Sequence, residues 1–155
     1  MLSEKIKKKI SPYGKFTETF IIDEFSFDFF AFLETNLVHT TFFIKDYEIK
    51  SYFYIFGKRF HQLYLDDFKE ILNISLSVSK KLLKTPEDHY LSTFIFILET
   101  EKTEEKVIET IQKTLISKSI WFGLKGSYRV GFVLSFKEKL FYPEEIKPFL
   151  SWLLD

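Results

Sequence analysis

The side chains that most often catalyse reactions or bind metals are few in this sequence, and their spacing matches no known site. The three histidines, His39, His61 and His89, are scattered, and none has a second histidine one helical turn away. The chain has no cysteine, which excludes zinc–thiolate sites and thiol catalysis. No G-x-S-x-G, P-loop or G-x-G-x-x-G motif occurs. We therefore expect no metal, no cofactor and no enzymatic activity.

Two pairs of neighbouring acids could in principle act as a general acid and base. Asp66-Asp67 and Glu144-Glu145 both lie where a helix is expected to begin. The positive end of the helix dipole stabilises carboxylates at such positions. We therefore expect these four carboxylates to have a structural role.

Aromatic residues are the anomaly of the composition, with 20 Phe, 8 Tyr and 2 Trp among 155 residues. In the run 49–57, one face of the expected strand combines Lys50 with Tyr52, Tyr54 and Phe56, and Lys58-Arg59 follows directly. A face of this kind is unusual in contact with water, because exposed rings normally have a partner.

A second group of rings and cations surrounds a glycine-containing turn near residue 125. Bases of single-stranded nucleic acid stack on aromatic rings while Lys and Arg contact the phosphates, so both groups are typical of such binding. The predicted nucleic-acid-binding residues are Lys50, Tyr52, Tyr54, Phe56, Lys58, Arg59, Lys118, Trp121, Phe122, Lys125, Tyr128 and Arg129.

Two other functions explain the same residues. The rings could be buried in a homo-oligomer, which would make the chain a protein-interaction or assembly module. A pocket between sheet and helices could instead bind a small apolar ligand. The charge balance argues against a binder of many phosphates, because Lys plus Arg and Asp plus Glu both number 22.

The periodicity of apolar residues predicts the elements that carry these groups. Spacing of three or four predicts helices at the N-terminus and in 65–84, and alternation predicts strands in between. The first half is expected to hold a helix and turn in 1–14 and a β-meander in 15–57, with strands Lys15–Asp23, Phe25–Glu34, Leu37–Lys45 and Ile49–Gly57. A helix in 65–84 follows, and then strand–helix–strand–strand in 90–136, with strands Tyr90–Glu99, Ser119–Leu124 and Tyr128–Phe136. A helical segment in 143–155 ends the prediction.

These elements predict one α+β domain spanning 1–155, with an antiparallel sheet of about seven strands and helices packed on one face. The lysine-rich start lacks the apolar core and cleavage site of a signal peptide. No run approaches the ~18 apolar residues that a membrane helix needs. We therefore expect a cytoplasmic protein that does not bind membranes.

Two short segments carry a family resemblance: Glu87-Asp88-His89-Tyr90, and the run from Trp121 to Val130 with its F-G-x-x-G-x-Y pattern. They resemble an uncharacterised archaeal and bacterial domain family, and are similar to the ThermoDBP-related single-stranded DNA-binding proteins of thermophiles. The resemblance implies an α+β fold, a homo-oligomer and single-strand binding, with DNA favoured over RNA. The matched positions are Asp88, His89, Phe122, Gly123, Gly126 and Tyr128. For His89 we expect a hydrogen bond that fixes the loop.

Overall fold

The computed structural model describes residues 2–40, 45–85 and 89–155. A short amphipathic helix opens the chain, and three long strands connected as a meander follow it. These elements are α1 (Leu2–Ile10), β1 (Gly14–Ile22), β2 (Phe25–Thr40) and β3 (Lys45–Leu63).

The second half alternates helices and strands. Its elements are α2 (Leu65–Leu82), β4 (His89–Thr103), α3 (Glu105–Lys113), β5 (Leu115–Ser119), β6 (Ser127–Phe136), β7 (Lys139–Phe141) and α4 (Lys147–Leu154), with 3₁₀ turns at Trp121–Gly123 and Glu144–Ile146. Asp67 accepts a 2.9 Å hydrogen bond from the backbone N–H of Tyr64 and so caps the start of α2.

The described strands form one mixed sheet in the order β1-β2-β3-β4-β6-β5, with β7 also paired to β6. The general α+β class is confirmed, but the prediction of an antiparallel sheet is wrong at the centre, where β3–β4 and β4–β6 are parallel. A parallel pair needs a crossover connection, and α2 provides it between β3 and β4.

Helices cover both faces of the sheet, so the prediction of helices on one face is also wrong. On one face α2 and α3 contribute Phe68, Ile71 and Ile111 to a core with rings of β3, β4 and β6. On the other, α1 and α4 contribute Ile6 and Leu150 to a second core, which is mainly aliphatic. Strands buried on both faces lose the apolar–polar alternation that marks a solvated face.

Several strand boundaries differ from the sequence prediction. The strand expected at Ile49–Gly57 is longer and runs from Lys45 to Leu63, and the strand expected at Tyr90–Glu99 runs from His89 to Thr103. Thr35-Asn36, expected to separate two strands, continues β2 and pairs with Ser51 and Lys50 of β3. The strand expected at Ser119–Leu124 lies earlier, as β5, and a 3₁₀ turn follows it. The short β7 was not predicted. None of the described helices is long and apolar enough to cross a membrane.

Candidate functional site

Tyr52, Tyr54 and Phe56 of β3, which were predicted to stack on bases, form part of an aromatic layer beneath α2. Tyr54 stacks on Phe94 with centroids 4.4 Å apart and an interplanar angle of 11°, and Phe56 stacks on Phe96 at 4.4 Å and 5°. Phe56 is completely buried and Tyr54 is 4% exposed. Burial, with a smaller contribution from Tyr52, raises the pKa of Tyr54 to about 12, so its hydroxyl stays protonated. Because Phe56 is completely buried, its ring offers no surface on which a base could stack.

Two of the cations predicted beside these rings, Lys58 and Arg59, already have partners. Lys58 donates a 2.7 Å hydrogen bond from Nζ to the Ser26 carbonyl and lies over the Phe25 ring. Arg59 forms an ion pair with Glu99, with 3.2 Å between Nη2 and Oε2. A phosphate would have to compete with these contacts for either cation.

Tyr128 and Arg129 point to opposite faces of the sheet, as neighbours on a strand must. Tyr128 is buried in the aromatic core, where it meets Phe94 edge to face at 6.3 Å. On the other face, Arg129 donates a 3.0 Å hydrogen bond from Nε to Thr93 Oγ1. Burial lowers the pKa of Arg129, and the Glu145 carboxylate opposes that shift. The two residues therefore cannot act together at one site.

Three predicted residues, Lys118, Phe122 and Lys125, lie close together in the chain, at the end of β5 and in its connection to β6. We define the basic turn as residues 118–126, closed by a 2.9 Å hydrogen bond from the Ile120 N–H to the Gly126 carbonyl. Phe122 is completely exposed, and Leu124 is 84% exposed. Phe122 also has left-handed backbone angles, φ 54° and ψ 29°. Lys118 precedes the ring on β5, and Lys125 follows it.

His89 attaches the basic turn to the sheet. Its Nδ1 lies 2.6 Å from the Lys125 carbonyl and its Nε2 lies 2.8 Å from Ser92 Oγ. Because a carbonyl only accepts, Nδ1 carries a proton and donates to it, and in the neutral imidazole Nε2 accepts from the Ser92 hydroxyl. We expected a local hydrogen bond for His89: the contact with Ser92 is local, whereas the contact with Lys125 joins a segment 36 residues away.

Lys50 and Trp121 have described backbones, in β3 and in the 3₁₀ turn, but their side chains lie outside the description, and Asp88 lies outside the described residues.

Among residues 2–40, 45–85 and 89–155, no group of three or more His, Asp or Glu is placed to hold a metal ion.

Sequence reasoning missed one signal for the basic turn. From Thr110 to Lys137 the sequence has no acidic residue and five basic ones: Lys113, Lys118, Lys125, Arg129 and Lys137. The zero net charge of the whole chain conceals this local excess, which counting charge along the chain would have revealed.

Comparison with known proteins gives a family but no described relative. No curated protein and no solved structure matches the chain. A model of one protein family matches residues 2–142, which include both strands that flank the basic turn. The chain therefore belongs to the family described as a domain of unknown function, DUF8052.

Proposed function

We propose that the protein is a non-enzymatic module that binds single-stranded nucleic acid at the basic turn, with DNA favoured over RNA by the resemblance noted above. The observation that carries the proposal is the ring of Phe122, which is completely exposed within a stretch of chain that has no acidic residue. The ring offers a surface for stacking, and Lys118 and Lys125 are available to phosphates.

Phe122 is one of six non-glycine residues with positive φ in the described part of the chain, and it differs from the others in carrying a large ring exposed to solvent. A non-glycine residue in the left-handed region costs roughly 1–3 kcal/mol, and such residues cluster at functional sites. The exposed ring recovers none of this cost by burial. A ligand that stacks on the ring would supply the missing contact.

The size of the basic turn sets the expected strength of binding. One stacking ring contributes about 1–3 kcal/mol, and the two lysines give a slope of log affinity against log salt of roughly −1.4. Such a site binds weakly on its own. Tight binding would need several copies acting on one strand.

The proposal is tested by changing the ring and the cations separately. Phe122→Ala should weaken binding of a fluorescent oligothymidylate by about 1–3 kcal/mol and leave the salt slope unchanged, because stacking releases no counterions. Lys118→Ala and Lys125→Ala should each flatten the slope by roughly 0.7.

Leu124→Ala is the matched control, since Leu124 is exposed in the same turn but has no ring. The Leu124→Ala variant should bind the fluorescent oligothymidylate with the same affinity as the unmodified protein, as measured by fluorescence anisotropy. A Phe122→Ala variant that binds as well as the Leu124→Ala variant would contradict the proposal.

The second candidate function is assembly, and the backbone of the β2–β3 hairpin favours it. Within the described residues, 37–40 and 45–49 pair only with each other and extend beyond the last pair that β1 makes, at Leu33. An isolated two-stranded ribbon is marginally stable in water, so contact with a second copy would stabilise it.

Assembly makes its own prediction. We expect sedimentation velocity at micromolar concentration to give a mass that is a multiple of 18.6 kDa. A mass equal to that of one chain across the concentration range would exclude the assembly function. It would leave nucleic-acid binding at the basic turn unaffected.

A further inference from the structure

An open groove of about 630 Å³ lies between the sheet and the end of α2, at a site distinct from the basic turn. Its floor consists of four rings, Phe30 and Phe32 of β2 and Tyr52 and Tyr54 of β3. We call it the aromatic groove. Small-molecule sites typically enclose ~300–1,000 Å³ with mostly apolar walls and a few polar groups, and the aromatic groove is within that range.

Neighbouring rings cover faces of the two floor tyrosines, which leaves the edges of these tyrosine rings for a ligand in the groove. Tyr52 lies between His89, parallel at 5.8 Å, and Phe32, at 6.0 Å and 22°. Phe94 stacks against one face of the Tyr54 ring. The Phe32 and Tyr54 rings form a T-shaped pair with centroids 5.0 Å apart. Ring edges carry partial positive charge and attract the face of another aromatic ring.

The rim adds positive charge and hydrogen-bonding groups. Lys15 and Thr17 of β1 line one side, and Leu82, Lys84 and Thr85 at the end of α2 line the other. Lys15 pairs across the strands with Phe32, and Thr17 with Phe30, so both lie beside the floor rings. Within the part of the chain that the structure describes, Lys15 and Lys84 form no ion pair with a carboxylate.

The Tyr54 hydroxyl adds a polar group at the floor. No hydrogen bond within the described residues uses it, and burial keeps it protonated. The aromatic groove thus combines an apolar floor of ring edges with two cations and one neutral hydroxyl that can donate a hydrogen bond.

We propose that the aromatic groove is a binding site for a small organic acid with a flat aromatic body. The face of the ligand ring lies across the edges of Phe32 and Tyr54, and its acidic group contacts Lys15 and Lys84. Phosphate alone would leave the apolar floor uncovered, and a purely aliphatic acid would lack a ring face for the edges. The site therefore selects for both parts of the ligand together.

Naphthoate is a suitable probe. Its methyl ester is the control that lacks the negative charge, and decanoate is the control that lacks the aromatic ring. In calorimetric titrations the full-length protein should bind one naphthoate per chain, and the ester about tenfold more weakly. Lys15→Met and Lys84→Met should each weaken naphthoate binding about two- to fivefold. Lys5→Met is the control, because Lys5 is exposed on α1, which packs on the opposite face.

Thr17→Trp tests the location, because the larger side chain would fill the aromatic groove from an exposed strand position. It should abolish naphthoate binding and leave oligonucleotide binding unchanged, whereas Phe122→Ala should weaken oligonucleotide binding and leave naphthoate binding unchanged. A far-UV spectrum like that of the unmodified protein shows that the variant is folded. If the variant does not fold, the two lysine variants decide the outcome.

Several results would overturn the proposal: no saturable naphthoate binding, an ester that binds as tightly as the acid, or a folded Thr17→Trp variant with unchanged affinity. Decanoate binding at least as tightly as naphthoate would also overturn it, because the floor would then not select a ring. Each of these results is independent of nucleic-acid binding at the basic turn, so failure of one site is distinguishable from failure of the other.

Discussion

Phe96→Ala is expected to destabilise the protein by about 3–5 kcal/mol, the range for truncating a fully buried phenylalanine. Phe96 is completely buried at the centre of the sheet, between Phe56 at 4.4 Å and Phe132 at 5.6 Å. Alanine would leave a cavity that these rings cannot fill, since each is fixed by other neighbours. A loss of this size is a large part of the ~5–15 kcal/mol that stabilises a typical domain.

Urea denaturation followed by circular dichroism measures this effect, with Phe122→Ala as the matched control. Both variants lose one phenyl ring, but the Phe122 ring is completely exposed and packs on nothing in the core. Its removal should change the free energy of unfolding by less than about 0.5 kcal/mol. Equal losses in the two variants would show that the aromatic layer is not packed as described.

Gly126→Ala should cost about 2–4 kcal/mol, because two effects act at this position. Gly126 has φ of 81°, and a Cβ atom there would overlap the carbonyl oxygen of Tyr90. The backbone of β4 would have to move, which would also disturb the hydrogen bond from His89 to the basic turn.

Gly123→Ala separates these two effects. Gly123 has φ of 92°, but nothing lies within 4 Å of the position its Cβ would occupy. Its replacement should therefore cost only the conformational term, about 1–2 kcal/mol. Thermal unfolding of the two variants gives the comparison, and a Gly123→Ala loss as large as that of Gly126→Ala would contradict the close approach of Gly126 to Tyr90.

The sequence was sufficient for the general class because the strongest periodic segments are long. The helical spacing from Leu65 to Leu83 corresponds closely to α2, and the alternating run from Tyr128 to Phe136 lies within β6. Strand direction was not predictable from the short connections of the meander. The parallel direction of β3 and β4 depends on the crossover through α2. The helix was predicted at the correct place, but it was not interpreted as a crossover.

The location of the site was harder to predict, for a physical reason. Tyr52, Tyr54 and Phe56 alternate with apolar residues, so one face had to be assigned to solvent when only one helical layer was expected. With helices on both faces, these rings belong to a core, although Tyr52 and Tyr54 also line the aromatic groove. Burial of both faces does leave a trace in the sequence, because residues 52–56 are aromatic or aliphatic without a break. The expectation of a single helical layer prevented that interpretation.

The basic turn illustrates the opposite case, in which local sequence is informative. Phe122 and Lys125 were selected because rings and cations alternate there, and the structure leaves both in one turn. The lysines that line the aromatic groove, Lys15 and Lys84, are 69 residues apart in the numbering and only the fold brings them to the same groove. No pattern in the sequence could have linked them.

The most direct test of single-strand binding at the basic turn compares one strand with its duplex over a range of salt. We expect the unmodified protein to bind an oligothymidylate of about 20 nucleotides much more tightly than a duplex of equal length, because duplex bases are already stacked. The logarithm of the single-strand affinity should fall against the logarithm of the salt concentration with a slope of roughly −1.4 between about 50 and 200 mM salt. Equal affinity for single strand and duplex, or no measurable binding at low salt, would contradict the proposed function.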